Sequence, residues 1–330
     1  MVALMKPAQA LFEGKVPKTL PVCDHYCGTE TRMKKALSLQ KELGPCFDIT
    51  FDCEDGAPMG KEEEHAKLVA HLLNSPENQF DRVGVRVHDP QSPYFTQDID
   101  ILLKESASKL AYITIPKVES ASQVSHLIEQ INSKAEQYGY SQHIPIHVLI
   151  ETHGALADAF QIAALPQIEC LSFGLMDFVS EHFGAIPASA MSVDQFNHPL
   201  VTRAMLDIAA ACHRHAKIPS HNVCTEIHDV SRIRDDCLKA KNLFGYTRKW
   251  SIHPQQVSII VDAFSPHNDQ VDLAINILRA AQEANWGPIQ FEGKLHDRAS
   301  YRFYWMVLQR AKDSGKLFTQ LHSLDWFDES

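Results

Sequence analysis

Eight times in succession the chain sets a short apolar run ahead of a longer amphipathic one, and that order leaves few folds open. The first four pairs are "TLPVCDH" with "TRMKKALSLQKEL", "FDITFDCED" with "KEEEHAKLVAHLL", "RVGVRVH" with "TQDIDILLKESASK", and "AYITIPKV" with "SASQVSHLIEQINSKAEQYG". The second four are "IPIHVLIET" with "ALADAFQIAAL", "IECLSFGLMDF" with "PLVTRAMLDIAAACHRHAK", "NVCTEIH" with "VSRIRDDCLKAKNLF", and "KWSIHP" with "QQVSIIVDAF". A helix after each strand carries the chain back to the same end of the sheet, so the strands run parallel. Eight such units imply an α/β fold, a closed (β/α)8 TIM barrel, expected over residues 1–265 with an N-terminal lead-in.

Residues 266–330 cannot form a ninth unit: a long helical pattern, a turn-rich "PIQFEGKLHDRAS" and an aromatic helix "YRFYWMVLQRAK" follow one another. Tyr301, Phe303, Tyr304, Trp305 and Met306 make that last helix too apolar to be left in water. The segment is therefore expected to be a C-terminal lid or oligomerisation extension, packed on the barrel or on a neighbouring subunit.

Charge narrows the partner. With 31 Lys and Arg against 41 Asp and Glu, the formal charge of −10 argues against a nucleic-acid or anionic-membrane surface and leaves room for a local cationic pocket. A small-molecule substrate is the expectation. The start "MVALMKPAQALFEGKVPKTL" has no uninterrupted apolar core and no run approaches a membrane span, which points to a cytoplasmic protein. The 8 cysteines are scattered, and Cys23 and Cys27 lack the C-x-x-C spacing of zinc or redox sites, so buried, reduced thiols are expected.

In a TIM barrel, chemistry sits where strands end at the carboxyl-end mouth. In strand order those positions hold Asp52, Glu54 and Asp55; Arg86 and His88; Lys117 and Glu119; Glu151; Asp177; Glu226 and His228; and His253. Glu151 alone could simply cap the helix that follows it. Glu151 and Asp177 on successive strands would repel unless a cation lay between them, and two carboxylates completed by water and substrate oxygens suit Mg²⁺, with Mn²⁺ as the alternative. Arg86 is either a buried ion-pair partner for a nearby acid or a clamp for a carboxylate and a developing enolate. Lys117 in "IPKVES" reads as a paired ammonium or, less simply, as an imine-forming lysine. Lys117 and His253 are further candidates for substrate contact.

Other groupings add little. Pro145 between His143 and His147 argues against a helix that would stack them, and His213 and His215 point to different sides of one. No G-x-G-x-x-G, Walker loop or G-x-S-x-G elbow is present, so nucleotide chemistry has no support.

The ordered series "FDCEDG", "VRVH", "IPKVES", "IETHGA", "FGLMDF" and "KWSIHPQQV" resembles the citrate lyase beta-subunit-like branch of the HpcH/HpaI aldolase superfamily, which includes malyl-CoA and citramalyl-CoA lyases. The resemblance runs from about residue 47 through the eighth unit and returns at "FEGKLHD". It implies a Mg²⁺-dependent barrel that makes or breaks a C–C bond beside a carboxylate, usually with an acyl-CoA. Carried over by motif, Glu151 and Asp177 would be the metal ligands, Arg86 the substrate and enolate clamp, and Glu54 and Asp55 the acids that hold metal-bound water. Asp297 of "FEGKLHD" would be the acid/base that reaches a neighbouring subunit's site, which implies a homo-oligomer with shared sites.

Two segments depart from the family pattern. Typical members carry an R-S-x-L-F-x-P-G-like segment that helps bind the CoA tail, where this chain has "TLPVCDHYCG", and the usual Asn after the third strand's Arg is His88. The resemblance implies cleavage of a 3-hydroxy-acyl compound of malyl or citramalyl type to a 2-oxo acid and an enolate-derived fragment. A free-acid aldolase, or a non-catalytic protein binding a dicarboxylate or CoA ester, is the alternative.

Overall fold

The structure, a computed structural model, describes residues 5–316, 318–321 and 324–327. Its strands are β1 (Cys23–Cys27), β2 (Asp48–Asp52), β3 (Val83–Arg86), β4 (Ile113–Ile115), β5 (Ile146–Ile150), β6 (Ile168–Phe173), β7 (Ile218–His221) and β8 (Arg248–Ser251). All eight pair in parallel and in sequence order, and β8 closes on β1. The barrel expected from the alternation is the one observed.

One strand lies elsewhere than its sequence suggests. "NVCTEIH" reads as the seventh strand, but β7 is Ile218–His221 and residues 222–228 form loop at the mouth. Pro219 disguises β7, because proline disfavours a central strand. Here its carbonyl still serves the ladder by accepting from Thr247 N at 3.2 Å.

Two compact units are present, Pro21–Phe264 and a second made of the residues before and after it. The lead-in, assigned by sequence to the barrel, is thus grouped with the C-terminal residues. Within that unit Arg298 Nη2 donates to Ala10 O at 2.6 Å and Arg302 Nε to Leu11 O at 3.1 Å, and Leu11 joins Trp286, Tyr301, Trp305 and Leu308 in one apolar core. Its helices Asn268–Glu283 and Arg298–Asp313 and the hairpin Ile289–Phe291 with Lys294–His296 complete it. The aromatic helix therefore covers Tyr301 and Trp305 inside its own unit, while Phe303 stays exposed.

Register decides what fills the barrel. Pairings link Asp24 to Asp48, Tyr26 to Thr50, Asp52 to Arg86, Arg86 to Thr114, Thr114 to His147 and Ser220 to Arg248, so these positions share the inner face. Valines and isoleucines such as Val85, Ile113 and Val148 take the alternate positions and pack in the large apolar cluster with the helices. Barrel interiors are ordinarily filled by branched aliphatics; this one is polar. Gly84 is required by that filling, because a Cβ there would run into the Tyr112 ring.

At the amino-terminal end Arg248, fully buried, pairs with Asp48 Oδ2 at 2.5 Å and Asp24 Oδ2 at 3.0 Å. Asp24 Oδ1 also accepts from Thr50 Oγ1 at 2.7 Å and Tyr112 OH at 3.0 Å. Removing the guanidinium would leave buried Asp24 without its cation and Asp48 with the Arg82 pair at 2.7 Å alone. Arg248→Met is expected to lower folding stability by about 3–5 kcal/mol, the usual cost of breaking a buried pair. Urea denaturation checks this, and an unchanged midpoint would count against a supporting role.

Candidate active site

The carboxyl end of the barrel gathers a second charged group. Arg86 at the end of β3 donates from Nε to Asp52 Oδ1 at 2.8 Å and from Nη2 to Asp52 Oδ2 at 2.6 Å. Its Nη1 lies 2.8 Å from Glu54 Oε2. A guanidinium carries five N–H groups. Two are hydrogen-bonded here, both to Asp52, and Nη1 meets Glu54 as an ion pair without a hydrogen bond, so the two N–H groups of Nη1 and one of Nη2 are open. Burial opposes the charge on Arg86, but Asp52 and Glu54 outweigh it and fix the cation. Asp52 is held ionised despite its burial by that guanidinium and by the Glu54 and Gly56 backbone N–H groups, at 3.0 and 2.9 Å.

Lys117 ties this group to Glu151. Its Nζ donates to Glu54 Oε1 at 2.5 Å and Asp55 Oδ2 at 3.1 Å, while its backbone N–H donates to Glu151 Oε1 at 2.7 Å. The residue takes φ 48°, a left-handed conformation uncommon for a side-chain-bearing residue and often found at functional sites. Burial disfavours its charge, yet Glu54 and Asp55 raise its pKa above the ordinary lysine value. Lys117 is a paired ammonium, unsuited to imine chemistry, which needs a free amine.

Glu151, at the end of β5, is 1% exposed, and its pKa is raised to about 8. Burial is the larger cause and the Asp177 carboxylate the next, partly offset by Arg86 and the Lys117 N–H. Asp177 comes from the first turn of the helix Leu175–Ser180 after β6. Gly174 before that helix must lack a side chain, since a Cβ would strike the Glu151 carboxyl group. A carboxyl kept protonated by burial first and by a neighbouring carboxylate next forms, with that neighbour, a donor set that a divalent cation would suit. Among the described residues no third His, Cys, Asp or Glu joins them in a metal-holding cluster. Mg²⁺ keeps several waters and takes few protein ligands, so two carboxylates are enough to hold it.

The other sequence candidates fall differently. The rings of His253 and His228 lie 6.4 Å apart. Burial first, then the charges of Lys35, His228 and Arg32, lower the His253 pKa, so its surroundings are cationic rather than the Arg86 group. Asp297 caps the helix Arg298–Asp313, its Oδ1 accepting from Ala299 N at 2.9 Å and Ser300 N at 3.4 Å. Asp98, which sequence reading passed over, is fully buried and holds His88 Nδ1 at 2.7 Å. Its signal was available: a carboxylate on the apolar face of a helix, beside Phe95, Ile99 and Leu102, needs a partner. The 8 cysteines are free and buried, and no described helix is long and apolar enough to cross a membrane.

A closed parallel barrel that collects paired carboxylates and a neutralised guanidinium at its carboxyl-end mouth is an enzyme scaffold with its chemistry placed among oxygen ligands. The chain belongs to the HpcH/HpaI aldolase/citrate lyase family, which residues 45–254 match, and so stands among the carbon–carbon lyases. A citrate lyase from Burkholderia xenovorans LB400 is 50% identical, with a TM-score of 0.85 over 96% of this chain and 97% of that one. The L-malyl-CoA/beta-methylmalyl-CoA lyase of Rhodobacter capsulatus is 26% identical over 281 residues, 80% of this chain and 87% of its own length. The CitE protein of Mycobacterium tuberculosis, in complex with magnesium, acetoacetate and coenzyme A, shares the fold at 18% identity and a TM-score of 0.67, over 89% of this chain and 99% of its own.

Proposed function

We propose that the protein is a Mg²⁺-dependent lyase that cleaves a 3-hydroxy-acyl-CoA of malyl or citramalyl type into a 2-oxo acid and an enolate-derived acyl-CoA. The observation that carries the reading is the buried Glu151 carboxyl, its pKa raised by burial first and by Asp177 next, together with Arg86, which Asp52 holds with N–H groups still open. Glu151 and Asp177 would hold the metal, which when bound supplies Lewis-acid polarisation of the 2-oxo acid's oxygens.

The chain's own residues do the rest. Arg86 directs its open N–H groups at the oxygen on which enolate charge develops, and the two bonds to Asp52 keep the guanidinium from turning. Lys117 anchors Glu54 and Asp55 and, through its backbone, Glu151. Arg32 and Lys35, whose charges reach His253, suit the phosphates of a CoA handle. The Rhodobacter relative, an L-malyl-CoA/beta-methylmalyl-CoA lyase, favours a thioester.

The test is turnover of purified protein with Mg²⁺ on malyl-CoA, citramalyl-CoA, β-methylmalyl-CoA and the matching free acids, read by mass spectrometry with EDTA controls. EDTA-sensitive release of a 2-oxo acid from a thioester is expected. Cleavage of free acids only would make the protein an aldolase of the same family, and tight binding without cleavage would make it a sensor.

A further inference from the structure

We propose that Tyr26, Leu149, Val223 and Trp250 form an apolar floor under the reacting atoms and select the 2-oxo acid that is released: one with a short alkyl substituent, not one with a second carboxylate. The inference rests on the lyase reading above. Register puts three of the four on the inner face of the barrel, since Tyr26 pairs with Thr50, Leu149 with Ser172 and Trp250 with Asp24. The Tyr26 and Trp250 rings stack, with centroids 4.5 Å apart and planes 14° from parallel. Buried Leu149 joins them in one cluster, and half-buried Val223, from the loop after β7, packs against it.

The floor lies under both ends of the site. Leu149 precedes Glu151 by two positions and so shares its side of β5. The guanidinium carbon of Arg86 stands 5.7 Å from the centre of the Tyr26 ring. In a 3-hydroxy-acyl-CoA of malyl type, the hydroxyl-bearing carbon carries four groups. Its hydroxyl and carboxylate belong with Glu151 and Asp177, and its acyl arm belongs with Arg86 and runs out through the mouth. The fourth substituent is the one left to point down the barrel, onto the rings.

A charged substituent finds no partner there. Tyr26 and Trp250 are each 8% exposed, yet the Tyr26 hydroxyl and Trp250 Nε1 are sealed from solvent, so neither polar atom faces the site. No cation of the network is spare. Arg86 and Lys117 meet three carboxylates, Asp52, Glu54 and Asp55, and Arg248 deeper in the barrel is held by Asp24 and Asp48. A carboxylate laid on this surface loses its water without a partner in exchange, whereas a methyl group gains by leaving water.

The test compares citramalyl-CoA, whose fourth substituent is methyl, with citryl-CoA, whose fourth substituent is carboxymethyl, and reads pyruvate or oxaloacetate release with Mg²⁺ by mass spectrometry. kcat/KM is expected to favour the methyl compound by about 100-fold or more, since an apolar pocket rejects even an added hydroxyl by about that factor. Calorimetric titration with Mg²⁺ present should likewise show pyruvate binding more tightly than oxaloacetate. Val223→Lys, at a half-buried loop position, sets an ammonium beside the rings. It should narrow the preference by about tenfold or more, the low end of what a close charge pair contributes. A wild type that cleaves the two thioesters equally or prefers citryl-CoA, or a Val223→Lys variant with unchanged preference, would overturn the assignment. Failure to cleave either thioester would instead sink the lyase reading, and the ranking of pyruvate against oxaloacetate would still decide the floor.

Discussion

Glu151→Gln is expected to abolish Mg²⁺ binding and to cut turnover by roughly a thousandfold, the several kcal/mol of charge stabilisation that a bound divalent ion supplies. The same carboxyl sets a pH signature that needs no turnover. Its pKa of about 8 in the folded protein stands above the unfolded value of 4.5, so the native state binds more protons between those limits. Metal-free stability therefore falls as pH rises through that window, by a few kcal/mol in total. The cation must displace the proton below pH 8, so its apparent affinity should rise about tenfold per pH unit up to that point and level off above it.

Glutamine mimics the protonated acid. The metal-free variant should match the wild type only below about pH 4.5 and melt increasingly higher than it up to pH 8, while Mg²⁺ raises the melting temperature of the wild type alone. Calorimetric titration across pH and thermal melts with and without EDTA read both effects. A variant that Mg²⁺ still stabilises, or a wild type whose affinity for Mg²⁺ is flat from pH 6 to 8, would remove Glu151 from the metal site.

The barrel was legible because its signal is repeated. Eight alternations constrain one another, and an error at β7 did not disturb the topology. The reason for that error is physical: "NVCTEIH" alternates like a strand, but pairing with β6 and β8 selects Ile218–His221 in spite of Pro219. The rim acids could be placed because they follow strand ends. Their partners could not, since Asp52 and Arg86 are 34 residues apart, as are Lys117 and Glu151, and meet only through register. The polar barrel interior is of the same kind. Arg248 and Asp48 are separated by 200 positions, and nothing local marks either as part of a buried network. The lead-in helix is grouped with the C-terminal residues and not with the barrel, because apolarity says that a face must be covered and not by what.

Arg86→Lys separates charge from geometry. Lysine keeps the positive charge, so if Arg86 served only to neutralise Asp52 and Glu54, activity would survive. An ammonium has three N–H groups on one nitrogen and cannot span the two Asp52 oxygens and Glu54 while leaving a pair for substrate. Asp52 would keep its bonds from the Glu54 and Gly56 N–H groups, so the loop after β2 should hold and the variant should fold. Loss of one donor to a developing oxyanion ordinarily costs about 10²–10³ in kcat. With the open N–H groups misplaced, kcat/KM is expected to fall by about 10³ or more, and by more than KM rises, because the interaction strengthens only as the enolate forms. Steady-state kinetics on the thioester identified by the turnover screen decide it. A lysine variant that keeps more than a tenth of kcat/KM would make Arg86 a structural counter-ion, and the oxyanion donor would then have to be sought elsewhere on the rim.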